Sequence, residues 1–190
     1  LYVNQSYCWY AFIRQDFLMY YRYTRKWVDL FHSNELMIAV EPGHYIKGMH
    51  NYLNSHFYLR NYRQFEITLH RFERFAASHI VNQHENFRVQ TFIYLSSARI
   101  NRHFMHGSFR EGLPLVAQIE KKIEEYMLYL DPHRIMVLNY KIATLYFGSG
   151  DYETCIDYLQ KIINDRSSDL RSDLQCYSRL LHLLAHYELG

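Results

Sequence analysis

Residues that break helices are scarce in this chain. Seven glycines and three prolines serve 190 residues, too few for a strand-rich fold with a tight turn at every hairpin, so long helices are expected. Cysteine is scarcer still. Cys8, Cys155 and Cys176 are odd in number and form no CxxC pair. Each stands among apolar neighbours at helical spacing, so all three are expected as small buried thiols, which suits a reducing compartment and a cytoplasmic location. No apolar run approaches the roughly 18 residues that span a bilayer, and no signal-peptide pattern is present. No membrane contact is expected. The chain opens on Leu1, without a methionine and inside a helical pattern, which leaves open a targeting signal further upstream.

Catalytic signatures are also missing. There is no GxSxG, no glycine-rich phosphate loop and no strand for either to follow. The pair Glu124–Glu125 sits in "EKKIEEY", which reads as a solvated helix face. Twelve histidines include His103 and His106 at i, i+3 and His182 and His186 at i, i+4. Neither pair has a Cys, Asp or Glu at ligand spacing to complete a metal site. The expectation is no catalytic residue, no metal and no cofactor: a chain that is not an enzyme.

What is abundant is aromatic. Nineteen tyrosines and twelve phenylalanines mean that large rings carry much of the packing. The net charge is only +2 but is unevenly spread: residues 1–110 hold 13 Lys/Arg against 7 Asp/Glu, and residues 111–190 hold 8 against 12. Such an asymmetry can orient a partner or a second copy.

The chain repeats itself. Anchored on Asp151, the stretches "FIRQDFLMYY", "FYLRNYRQFE", "FMHGSFREGL" and "FGSGDYETCI" align. The cap column reads Asp16, Asn61, Ser108, Asp151, all preferred N-cap residues. Four residues earlier stands Phe12, Phe57, Phe104, Phe147, with Tyr187 in a fifth, partial copy, and this column is expected to be buried between stacked hairpins. In the first helices Leu1, Ile46, Ile93, Met136, Cys176 form one apolar column, and Cys8, Leu53, Ile100, Ala143, Leu183 another seven residues later. The second helices share Trp27, Phe72, Ile119, Ile162. The expected helices are 1–14, 17–32, 44–59, 62–78, 85–105, 109–130, 132–147, 152–164 and 170–188, grouped into repeats at 1–32, 44–78, 85–130, 132–166 and a partial 170–190, all in one domain. A two-helix unit recurring every 40–47 residues predicts an all-α fold, a right-handed α-solenoid of antiparallel helix pairs.

The stretch "NYKIATLYFGSGDYETCIDYLQKIIND" resembles a tetratricopeptide repeat, with its Gly-Asp-Tyr turn and Cys155 where that family favours a small residue. The match is best over 132–166, and the ending "LHLLAHYELG" is similar to that of uncharacterised bacterial tetratricopeptide-type proteins. The resemblance implies protein–protein interaction, with a peptide or helix held in a concave groove lined by the first helices, and names no partner. One position after the second apolar column stand Trp9, Asn54 and Asn101. The groove reading makes Asn54 and Asn101 a two-rung ladder for a peptide backbone, with Trp9 as an apolar anchor. The other reading has each amide satisfy a neighbouring carbonyl between hairpins.

An alternative function is nucleic-acid binding through the basic first 110 residues. Arg60, Arg63, Arg71 and Arg74 interleave with Tyr58, Tyr62 and Phe72, and Arg99, Arg102 and Arg110 follow, a composition able to grip phosphates and stack bases. Against it, Arg71 and Arg74 frame the apolar stripe Leu69, Phe72, Phe75. The last helix raises a separate question. Leu180, Leu181, Leu183 and Leu184 cannot all face one preceding hairpin, so either the chain continues past Gly190 or this face meets another chain, self-association included.

Overall fold

The computed structural model describes residues 1–164 and 172–190. Among the described residues every regular element is a helix: α1 Tyr2–Ile13, α2 Phe17–His32, α3 Leu36–Val40, α4 Pro42–Tyr58, α5 Tyr62–Ala76, α6 His79–Asn82, α7 Glu85–His106, α8 Phe109–Gly112, α9 Pro114–Glu125, α10 Pro132–Ser149, α11 Tyr152–Ile163 and α12 Ser172–Leu189. None is long and apolar enough to cross a membrane. The expected start of the last helix at 170 and the end of the fourth repeat at 165–166 lie outside the described residues.

The expected helix 109–130 is broken. Pro114 has no N–H to donate and stands at the first position of α9, so the short α8 stops at Gly112 and a new helix starts. Two short helices, α3 and α6, occupy linkers that the periodicity leaves blank. Contacts group the chain into two compact units, Leu1–Met105 and His106–Gly190, and the division falls inside the third expected repeat.

The repeat is most literal in its turns. Gln15 (φ 56°), Arg60 (φ 52°), Gly107 (φ 66°) and Gly150 (φ 87°) are all left-handed, and each immediately precedes a residue of the cap column. Three of these turns share one hydrogen-bond pattern. The left-handed residue donates its N–H to the carbonyl of the recurrent phenylalanine: Gln15 to Phe12, Arg60 to Phe57, Gly150 to Phe147. The cap residue donates to the carbonyl one residue further back, Asp16 to Ala11, Asn61 to His56, Asp151 to Tyr146, all at 2.9–3.1 Å. This double closure satisfies carbonyls that the helix end would otherwise orphan. The caps then start the next helix: Asp16 accepts from the N–H of Met19, Asn61 from Gln64 and Asp151 from Thr154. Ser108 makes no such side-chain cap bond, and the helix after it is only one turn long.

Three positions of each second helix build the core. Four, eight and eleven residues after the cap stand Tyr20, Thr24 and Trp27; Phe65, Leu69 and Phe72; Gly112, Val116 and Ile119; Cys155, Leu159 and Ile162, and all of them are buried. The spacing keeps one face inward, and each large apolar side chain so buried contributes about 1.5–3 kcal/mol. The first helices answer with Cys8, Leu53, Ile100 and Ala143, all buried. In the first unit α4 closes on α2: the Trp27 indole lies against Gly48, where a Cβ would come within 3.3 Å of Nε1, and the Tyr20 hydroxyl donates to Asn51 Oδ1 at 2.8 Å.

Three expectations about the core are corrected. The phenylalanine column is not core: Phe57, Phe104 and Phe147 are half-buried, and Phe12 and Tyr187 are exposed. These rings stand beside the turn at the end of each first helix, where the chain reverses and neighbours cover one side only. Cys176 is exposed while Cys8 and Cys155 are buried. Leu183 is exposed too, so in the fifth copy this column is uncovered, although Leu174, Ser178 and Ala185 of the same helix are buried.

Candidate interaction site

In the first unit, the turn between α4 and α5 and the end of α7 enclose a pocket of about 450 Å³ lined by Phe57, Tyr58, Arg60, Tyr62, Phe104 and Met105. Its position follows from the turn just described. The left-handed residue reverses the chain within three residues, which sets Phe57 and Tyr58 of α4 beside Tyr62 of α5. The walls are aromatic: Tyr58 stacks on Phe17 with centroids 4.5 Å apart and packs against Phe12 and Tyr20. Burial in this cluster holds the Tyr58 hydroxyl above its ordinary pKa, so it stays a neutral donor and acceptor. The lining holds one formal charge, the guanidinium of Arg60.

Arg60, like Gln15 in the first turn, carries a side chain in the left-handed region. That costs about 1–2 kcal/mol, and the other two equivalent turns avoid the cost with glycine. Strained residues of this kind cluster at functional sites. Here the strained residue supplies the pocket's only cation.

A second pocket of about 410 Å³ in the same unit is lined by His32, Glu35, Ile38, Tyr45 and Arg71. His32 Nε2 lies 3.3 Å from the Tyr45 hydroxyl, and Arg71 Nη1 lies 3.1 Å from His32 Nδ1. Burial, with Arg71 adding to it, holds His32 below its usual pKa. The imidazole is thus neutral, between a phenol and a guanidinium. The sequence carries no local signal for this grouping, because His32, Tyr45 and Arg71 come from three different helices.

The residues singled out by sequence stand on three helices, α1, α4 and α7. Trp9 is 57% exposed on α1. Asn54 is half-buried, and its amide nitrogen lies 3.1 Å from His50 Nε2, one turn back on the same helix. Asn101 is buried. The basic cluster is partly committed elsewhere: Arg99 bonds Glu73 at 2.8 Å, Arg71 holds His32, and Arg110 donates to the Ser149 carbonyl at 3.1 Å. Phe72 is fully buried and cannot stack on a base. Tyr58, Arg60 and Tyr62 are the members of that set that line the aromatic pocket, and Arg71 lines the second. Among the described residues no three His, Cys, Asp or Glu side chains gather as a metal site.

Comparison with family models, with curated proteins and with solved structures gives no match.

Proposed function

We propose that this chain is a non-enzymatic interaction scaffold, a right-handed α-solenoid of tetratricopeptide-like hairpins in the cytoplasm, that holds a peptide or helix of a protein partner. The observation that carries the reading is Arg60: a strained backbone kept at a position where glycine is cheaper, with its side chain on an aromatic pocket. The pocket suits an aromatic or aliphatic side chain of the partner beside an acidic group, the first held by Phe57, Tyr58, Tyr62, Phe104 and Met105, the second by the guanidinium. Exposed Trp9 on α1 supplies a further apolar contact, as the groove reading expects. Repetition of the turn, cap and core columns at 43–47 residues supports the solenoid.

The test separates fold from function in one substitution. Arg60→Gly relieves the left-handed strain and is expected to raise stability by about 1 kcal/mol, while weakening the peptide consensus selected from a randomised display library by the unmodified chain. The reading fails if no consensus emerges, or if the selected peptides bind Arg60→Gly and Tyr62→Asp as well as the original. A parallel titration of a single-stranded oligonucleotide decides the alternative: binding with a steep salt slope would favour nucleic acid.

A further inference from the structure

The second pocket of the first unit takes no part in the proposed peptide contact, and its lining carries two opposite charges that do not pair. His32 ends α2, Glu35 stands just before α3, Ile38 lies within α3, Tyr45 comes from α4 and Arg71 from α5, around a space of about 410 Å³. A cavity of that size, walled by four elements, is in the range that takes a small molecule.

The cation is oriented without being neutralised. Arg71 Nη1 lies 3.1 Å from His32 Nδ1 and 3.3 Å from His32 Nε2. A point nearly equidistant from both ring nitrogens stands over the face of the imidazole and in line with neither lone pair, so the guanidinium is seated as a cation on a ring. The ring is held in turn by Tyr45, a side chain only 3% exposed whose hydroxyl is 3.3 Å from Nε2. No carboxylate among the described residues pairs with Arg71. Asp29, whose charge is also felt at His32, is held by Arg25 at 3.5 Å. Glu35 is exposed, makes no side-chain cap bond to α3 and forms no ion pair among the described residues. Between the two charges lie half-buried Ile38 and the buried Tyr45 ring.

We propose that this pocket binds a small zwitterion of the α-amino-acid kind, its carboxylate on Arg71, its ammonium on Glu35 and its side chain against Ile38 and the Tyr45 ring. A simple anion would gain at Arg71 and lose at Glu35, and a simple cation would do the reverse. A molecule that carries both signs gains at both ends. The N–H edge of a guanidinium matches a carboxylate in geometry as well as in charge, and an imidazole kept neutral beneath it leaves that charge available. The inference is independent of the aromatic pocket and of any peptide held there.

The probe is a mixture of free glycine, leucine, isoleucine, methionine, phenylalanine and glutamine, observed by saturation-transfer NMR with the whole chain. At least one apolar member is expected to show transfer, and its titration to saturate. Removing either charge of that ligand, as its N-acetyl derivative or its amide, should weaken binding roughly fivefold or more. Arg71→Gln and Glu35→Gln should each do the same to the free amino acid, and since both side chains are exposed, melting should not change. Glu35→Gln should not weaken the N-acetyl derivative, which has no ammonium to lose. The proposal is overturned if no member of the mixture gives a saturating titration. It is also overturned if the N-acetyl derivative or inorganic phosphate binds as well as the free amino acid, which would make this a simple anion site on Arg71, or if Glu35→Gln leaves the affinity for the free amino acid unchanged.

Discussion

His56 gives the first unit a dependence on pH that can be worked from its surroundings. The ring is fully buried on α4 and neither ring nitrogen has a hydrogen-bond partner. Tyr52 and Tyr21 flank it with centroids at 4.3 and 5.5 Å. Burial lowers its pKa from 6.5 to about 4, because the charged form has nothing to replace its water. The folded pKa lies below the unfolded one, so the unfolded chain takes up the proton first. Stability is unaffected by this group above pH 6.5, declines as pH falls from 6.5 to 4, and loses nothing further below that. Linkage between those two values costs about 2 kcal/mol at pH 5 and about 3 kcal/mol at pH 4. The perturbation is His56→Leu, which removes the titrating group, keeps a similar volume and removes two unsatisfied polar atoms. Urea unfolding followed by tryptophan fluorescence is the assay, since Trp9 and Trp27 both lie in the unit that contains His56. The variant should hold its stability between pH 6.5 and 4 better than the original by those amounts. Parallel declines of the two proteins would refute the reasoning and show that His56 gains a partner or water before it ionises.

Two further outcomes are expected. Gly148→Ala should destabilise the second unit by about 1–3 kcal/mol in thermal melts, although alanine normally favours a helix by about 1 kcal/mol, because its Cβ would stand 2.3 Å from the Phe109 ring; Gly43→Ala, with its nearest neighbour at an ordinary 3.5 Å, should not. Burial pushes the Cys8 and Cys155 thiols up to about 12, so a thiol reagent at pH 8 should label exposed Cys176 rapidly and the other two only on unfolding, and fast labelling of all three would contradict the core assignment.

What the sequence alone determined is what depends on neighbours along the chain. A cap bond spans three residues, a left-handed turn residue is followed at once by its cap, and one helix face recurs every three or four positions. Asp16, Asn61 and Asp151 and the column Trp27, Phe72, Ile119, Ile162 could therefore be read from spacing alone. The break at Pro114 was local as well, and the apolar pattern that continues through it hid it. The tertiary structure decided what depends on groups distant in sequence. It set the recurrent phenylalanines beside turns instead of under a neighbouring helix, and gathered His32, Tyr45 and Arg71 from three helices. It buried His56 between two tyrosines, and it left one face of α12 open although its sequence is as apolar as that of an inner helix. Apolar periodicity states which face seeks cover. Whether a neighbour arrives to cover it is a property of packing, and at Leu183 and Tyr187 none of the described helices does.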